Sequence, residues 1–331
     1  MSDKFNAIVA EEIDGSTVAS LRQLTLADLP DEPVLVDVGY STLNYKDGLA
    51  VSGKGRICRT LPLICGIDLA GTVAQSADPA YKAGDRVLVN GYGMSELYNG
   101  GYSQKQRIKP EWIVRVPDGM SLEETMAIGT AGYTAMLCVQ ALQDHGVEPG
   151  SGPVLVTGAA GGVGSVAVAL LARLGYEVHA STGRIEAEGD FLRKLGASAL
   201  LPRGELARDS KPLERETWAG VVDTVGDKVL ATAIAQTRYE GTVTACGLAG
   251  GMNLPTSVAP FILRGVTLRG IDSVMASQVR RQRAWDALAD LIDHEQLREI
   301  YRVVPLSEVP ELALRILNGE VRGRVVVDVN A

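Results

Sequence analysis

The sequence predicts an α/β protein in which a doubly wound parallel sheet is inserted into a second, mostly β domain. Three observations predict this. Short β-branched segments separated by Gly, Asp and Pro fill the first third of the chain. From about residue 123 strands and helices alternate. At 154–171 an apolar strand runs into a glycine-rich turn and directly on into an Ala/Val/Leu helix.

The elements follow in order. Residues 34–38, 71–74 and 86–89 read as strands, and Lys82-Ala83-Gly84-Asp85 as the tight turn that delivers the last of them. Strands at 153–157, 177–181, 220–224 and 241–246 alternate with helices from Gly162, near 191–195 and from Lys228. That order specifies a parallel sheet with right-handed crossovers. An amphipathic helix spans 278–294, and 324–329 is a strand that returns to the first domain. The expected division is 1–124 and 271–331 for the mostly β domain, and 125–270 for the parallel-sheet domain.

Composition bounds the function. Of 331 residues 46% are hydrophobic, enough for two buried cores. The net charge of −8 opposes an extended nucleic-acid surface, which needs a surplus of Lys and Arg. Asp3, Lys4, Glu11 and Glu12 interrupt any signal-peptide pattern, so the expected location is the cytoplasm. Uncharged stretches at 125–143 and 149–172 carry too many glycines and threonines for membrane spans, and read as a buried connecting helix and a strand–turn–helix. Four cysteines without a Cys-x-x-Cys pair, and three scattered histidines, form no metal-ligand set. They read as free thiols in a reducing compartment.

The richest segment is Gly158-Ala159-Ala160-Gly161-Gly162-Val163-Gly164. Against G-x-G-x-x-G it places Ala159, Gly161 and Gly164. Glycines there let backbone approach a pyrophosphate, whose charge meets free N–H groups at the helix N-terminus. The preceding strand, following helix and βαβ continuation supply the required context, so dinucleotide binding is expected. An NAD site puts Asp or Glu at the end of the next strand. Here that end reads Ser181-Thr182-Gly183-Arg184, and Glu177 comes too early. Two hydroxyls and an arginine suit a 2′-phosphate, and Arg203 beyond the following strand adds a second cation. The expected cofactor is NADP(H).

The chain resembles the zinc-independent medium-chain dehydrogenase/reductases of the quinone oxidoreductase type. The resemblance rests on Ser41-Thr-Leu-Asn44-Tyr45-Lys46-Asp47, Pro62-Leu-Ile-Cys-Gly66-Ile-Asp68-Leu-Ala-Gly71, Gly84-Asp-Arg-Val87, Gly100-Gly-Tyr102, the glycine turn and Gly323-Arg324. The longer strings at 129–138, 218–220 with 223–229, and 245–251 are similar to the acryloyl-CoA reductase subgroup. The resemblance implies a GroES-like substrate domain, a Rossmann-type cofactor domain, an active cleft between them and a homodimer. Ile67 and Asp68 stand where zinc-dependent relatives carry His and Glu, so hydride addition to an activated C=C is expected instead of metal-assisted alcohol oxidation.

The same resemblance implies site residues. Asn44 and Tyr45 fall beside the nicotinamide, with Arg324 facing the same cleft. Ala160, Gly161, Gly162, Val163, Thr182, Gly183, Arg184, Arg203, Leu248, Ile262 and Ser273 fall along the cofactor. Lys46, Lys54, Arg56 and Arg59 form a cationic cluster that suits either coenzyme A phosphates or a solvated loop. Three functional readings stand: reduction of acryloyl-CoA with NADPH, reduction of quinones or enones, and NADPH binding without turnover.

Overall fold

The computed structural model describes residues 4–331. Two strands, β1 (Lys4–Ile13) and β2 (Ser16–Thr25), form a hairpin. Then come β3 (Val34–Leu43), α1 (Tyr45–Ser52), β4 (Leu63–Ile64), β5 (Asp68–Ser76), β6 (Arg86–Asn90), β7 (Lys105–Ile108) and β8 (Val114–Arg115). Helix α2 (Leu122–Asp144) leads to β9 (Val154–Thr157), α3 (Gly162–Arg173), β10 (Val178–Thr182), α4 (Ile185–Lys194) and β11 (Ala199–Pro202). The alternation continues through β12 (Trp218–Asp223), α5 (Asp227–Ala235), β13 (Thr237–Ala245), α6 (Ala259–Arg264) and β14 (Thr267–Gly270). The chain ends with α7 (Gln278–Leu291), α8 (His294–Ile300), β15 (Tyr301–Pro305), α9 (Val309–Leu317) and β16 (Arg324–Asp328).

Two compact units emerge. The first holds Met1–Thr130, Val274–Ala289 and Leu297–Ala331, and the second holds Ala131–Ser273 and Asp290–Gln296.

In the first unit a sheet runs β15-β16-β3-β5-β6-β8, with β7 also on β3, beside a smaller sheet β2-β1-β4. The tail strand β16 pairs antiparallel with β3, Val325 opposite Leu43. Alternating residues Val34, Val36 and Val38 of β3 meet Val87 and Val89 of β6 and Val325 and Val327 of β16 in one core. Each such side chain contributes roughly 1.5–3 kcal/mol by leaving water.

The second unit is a six-stranded parallel sheet in the order β11-β10-β9-β12-β13-β14. Numbered from β9, that is 3-2-1-4-5-6, the doubly wound order whose ligand crevice opens between the first and fourth strands at their carboxyl ends. Leu155, Trp218, Val221, Ile234 and Val243 fill its core.

One helix departs from the sequence reading, and another follows it apart from a break. The expected helix 278–294 ends at Leu291, because Asp293 Oδ1 accepts the N–H groups of Glu295 (3.0 Å) and Gln296 (3.1 Å) and starts a new helix. Helix α2 has the length and mean hydropathy of a membrane span, but 94% of its apolar window is buried in the protein. It is also interrupted at Gly129, where φ 50° and ψ −161° are a conformation glycine alone adopts readily.

Candidate active site

In the second unit β9 delivers the glycine turn. Gly158 has φ +60°, and a Cβ on it would lie 2.2 Å from Thr224 Oγ1. A Cβ on Gly164 would lie 2.3 Å from Gly158 O, so only glycine lets α3 start this close to the turn. Gly161 precedes α3 in extended conformation and supplies no side-chain cap. The first-turn N–H groups thus face the sheet's carboxyl end with the positive end of the helix dipole behind them, the arrangement that receives an anion.

A hydrogen-bond network holds the two strands that flank the crevice. Thr157 Oγ1 donates to Asp223 Oδ1 at 2.7 Å, and Asp223 Oδ2 accepts from Gly226 N at 2.8 Å and Val225 N at 3.2 Å. Thr224 Oγ1 donates to Thr157 O at 2.9 Å. Burial pushes the Asp223 carboxyl above the usual range, against these donors. Ala159 N donates to Ser181 O at 3.0 Å and ties the turn to the end of β10.

At that strand end Thr182 Oγ1 accepts from Arg184 N at 3.2 Å. The Arg203 guanidinium lies over Gly183, with its Cζ 3.1 Å from where a Cβ would stand. Arg203 has no ion pair among the described residues, while Arg184 Nη1 is 3.6 Å from Glu188 Oε1. The carboxylate of Glu177 is engaged with His179 at the strand's start. Thr182, Gly183, Arg184 and Arg203, distant in part along the chain, therefore converge on one cationic corner.

Of the other expected contacts, Ala160 is buried in the turn, and Gly161, Gly162 and Val163 are half-buried. Leu248 is 50% exposed on a loop that Cys246 N→Asp223 O (2.9 Å) and Gly250 N→Val225 O (2.7 Å) fasten to the same crevice. Ile262 is 72% exposed on α6, and Ser273 is half-buried after β14.

The first unit holds a buried polar cluster. Asn44 precedes α1, and its backbone N–H donates to Asp47 Oδ2 at 2.9 Å, one arm of a capping box. Its side-chain Nδ2 donates to Asp47 Oδ2 (3.0 Å) and to Asp68 Oδ2 (2.7 Å), while its Oδ1 accepts from Arg324 Nη1 at 3.1 Å. Asp68 Oδ1 accepts from Asn90 Nδ2 and Thr130 Oγ1, each at 2.6 Å. The break at Gly129 frees Thr130 N from the helix ladder, and it points at Asp68 instead, 3.1 Å from Oδ1. Burial first, then the neighbouring Asp68, push Asp47 up to about 7, opposed by donors from Asn44 and Ile67. Burial lowers Arg324 from its usual value, opposed by Asp68 and Asp47.

This cluster revises one expectation. Arg324 does not present its guanidinium on an open face: it is 2% exposed and donates to Ala127 O, Leu43 O, Asn44 Oδ1 and Thr42 Oγ1. It lies behind Asn44, itself only 7% exposed. Tyr45 begins α1 and is 38% exposed. The Asp47, Asp68 and Thr130 side chains were missed as site residues by the sequence reading, although Asn44-x-x-Asp47 carried the capping spacing that signals the first of them.

The cationic stretch divides. Lys46 and Arg59 pair with Glu96, the latter at 3.8 Å, while Lys54 and Arg56 are exposed with no carboxylate partner among the described residues. No group of three or more His, Cys, Asp or Glu among the described residues is arranged to hold a metal.

Residues 30–118 match the family described as alcohol dehydrogenase GroES-like domain, and 162–293 that described as zinc-binding dehydrogenase. The chain is 52% identical over 330 residues to the acrylyl-CoA reductase AcuI of Ruegeria pomeroyi, covering 99% of this chain and 100% of the relative. Its fold is similar to a crystal structure of Escherichia coli K-12 YHDH with bound NADPH, at TM-score 0.96 and 51% identity, covering 98% and 100% of the two chains. It is also similar to a crystal structure of Bacillus subtilis yhfP with NAD bound, at TM-score 0.95 and 42% identity, covering 99% and 100%. The GroES-like and Rossmann-type architecture, the missing zinc ligands and the full-length identity agree: the chain belongs to the medium-chain dehydrogenase/reductase superfamily, on its zinc-independent quinone oxidoreductase side, in the subgroup of the acrylyl-CoA reductases.

Proposed function

We propose that this chain reduces the C=C bond of acryloyl-CoA to propanoyl-CoA with NADPH. One joint observation carries the proposal. A strand end built for phosphate, with Arg203 over Gly183 and no acidic residue, occurs in a chain 52% identical to an acrylyl-CoA reductase over its whole length.

The residues fit the dinucleotide, because Gly158 and Gly164 let α3 start hard against the strand end and the N-terminus of α3 has no side-chain cap. Ala160, Gly161, Gly162 and Val163 would hold the pyrophosphate, and Thr182, Gly183, Arg184 and Arg203 the 2′-phosphate, with Leu248, Ile262 and Ser273 as further contacts. When bound, NADPH supplies the hydride that adds to the β-carbon of the unsaturated thioester. The Tyr45 hydroxyl, which has no hydrogen-bond partner among the described residues, is free to bind cofactor or substrate. Asn44 and Arg324 act through it, by fixing the start of α1. Lys54 and Arg56 are the cations left to meet coenzyme A phosphates.

A location in the cytoplasm is supported by four free cysteines. A homodimer is supported by the edge strand β14 and the exposed apolar Val258 and Leu263 that precede it. Light scattering tests the dimer directly.

The test of the reaction is kcat/KM for acryloyl-CoA, crotonoyl-CoA, acrylate and a benzoquinone in parallel, each with NADPH and NADH. Acrylate should be poor, because its delocalised charge opposes the charge that hydride transfer creates, whereas a thioester polarises the double bond. Remote binding of the coenzyme A handle also orients the small acyl group. Acryloyl-CoA with NADPH should lead. A series led by the quinone would replace this reading with quinone reduction, and no turnover of any acceptor would leave a binding protein.

A further inference from the structure

Two features kept apart in the sequence lie side by side in the first unit: the cations Lys54, Arg56 and Arg59, and the rings of Tyr92, Tyr98 and Trp112. The loop 91–99 joins them. Arg59 N donates to Glu96 O at 2.8 Å, and Arg59 Nη2 stands 3.8 Å from Glu96 Oε2. Two residues on, Tyr98 meets the Trp112 ring edge-on at 5.0 Å between centroids, and Tyr92 lies parallel to Trp112 at 5.6 Å. Lys109 Nζ stands 4.7 Å from the centre of the Tyr98 ring and 5.2 Å from that of Trp112, and so holds the two rings together. Tyr98 is nonetheless 40% exposed.

The loop is held in a costly conformation. Tyr92 (φ 53°) and Ser95 (φ 64°) take left-handed backbone although each carries a Cβ. Such backbone persists only where its neighbours fix it, and it gathers at ligand sites. Here Tyr92 N donates to Val274 O at 3.1 Å and Ser95 N to Tyr98 O at 2.8 Å. Gly93 O accepts from the N–H groups of Glu96, Leu97 and Tyr98 at 3.1, 3.0 and 3.2 Å. The buried Arg281 guanidinium lies 4.2 Å from the centre of the Tyr92 ring, and donates to Asn90 O at 2.8 Å and Val274 O at 3.2 Å. The fold thus keeps the Tyr98 ring rigid and open at once.

We propose that Tyr98, backed by Trp112 and Tyr92, is the platform on which the adenine of the coenzyme A handle stacks, with Arg59 beside Lys54 and Arg56 meeting the handle's phosphates. This subsite rests on the reading of the chain as an acryloyl-CoA reductase.

Three observations select the occupant. A purine offers a flat π-face, which stacks on an exposed aromatic side chain whatever its hydrogen-bonding edge. The cations flank that ring in a chain of net charge −8, so the group beside the purine is an anion. Arg59 shares Glu96 with Lys46 and keeps a side chain 65% exposed, which leaves guanidinium donors for a phosphate. Finally, Lys46 follows Tyr45 directly and pairs with Glu96, so the platform's loop is tied to the first turn of α1, where the acyl group is proposed to react.

A free nucleotide shares this chemistry, and the test separates the two. The full-length protein is first saturated with NADP+, which fills the glycine-turn site. Adenosine 3′,5′-bisphosphate, the end of coenzyme A without its arm, should then bind in calorimetry. Tyr98→Ala should weaken that binding about tenfold, the scale of losing one stacked base, and Tyr98→Phe should retain it. Arg59→Ala should weaken it too and flatten its salt dependence. In kinetics with NADPH, the ratio of kcat/KM for acryloyl-CoA to that for acryloyl-pantetheine, which lacks the nucleotide, should fall about tenfold in Tyr98→Ala and stay parental in Tyr98→Phe. An unchanged ratio overturns the proposal even where the bisphosphate binds, since the platform would then serve a free nucleotide. No binding by the parent, or equal binding by Tyr98→Ala, overturns it as well. A parent that reduces neither thioester removes the proposed reaction separately, and the calorimetry still decides the platform.

Discussion

The side-chain amide of Asn44 lies 2.7 Å from the carboxylate of Asp68, with both residues buried. Through that contact and its bonds to Asp47 and Arg324, one neutral side chain joins two carboxylates and a guanidinium. Single-partner removal from such a cluster is costly, because the remaining charged groups cannot regain water.

Asn44→Ala is therefore expected to lower stability by about 2–4 kcal/mol, the scale of leaving buried charged partners unsatisfied. Turnover should fall with it, since α1 loses its anchor. Urea unfolding and steady-state kinetics measure the two. A variant as stable as the parent would show that water or a rearranged Arg324 takes the place of the amide.

Stability should carry a signature of Asp47. Its carboxyl is raised in the folded protein from 3.8 to about 7, so the folded state binds a proton that the unfolded state has released across that interval. The stabilisation from this group is fully present below about pH 4 and is lost as pH rises through about 7, on the order of a few kcal/mol. The stability difference between the parent and Asp47→Asn should accordingly shift against the parent between about pH 5 and about pH 8. A difference constant over that range would mean that Asp47 is ionised throughout.

Cofactor choice should depend on the cationic corner. Arg203→Ala and Arg184→Ala are each expected to weaken NADPH binding by roughly 1–3 kcal/mol, and NADH binding hardly at all. Arg203 should show the larger loss, because Arg184 already has Glu188 nearby. Titration calorimetry with both nucleotides decides it, and equal losses for both would remove the 2′-phosphate from this corner.

Tyr45→Phe removes one hydroxyl that has no hydrogen-bond partner among the described residues, so melting temperature should not move. A decrease in kcat or in NADPH affinity is expected in a variant of parental stability. Parental kinetics would reduce Tyr45 to a packing aromatic.

The sequence by itself determined what local rules determine. Gly158, Gly161 and Gly164 between a strand and an apolar helix set the turn, and the absence of a carboxylate from 181–184 set its preference, because both depend on neighbours along the chain. That the sheet is parallel followed from the alternation of strands and helices. The Asn44 cluster, by contrast, joins residues up to 280 positions apart, and it exists because β16 pairs with β3 in the register that sets Val325 opposite Leu43. The Arg203–Gly183 contact and the pairing of Lys46 and Arg59 with Glu96 likewise depend on how distant segments meet. Residue identity settles which groups can bond, but only a folded register decides which of them are brought within 3 Å and sealed from water.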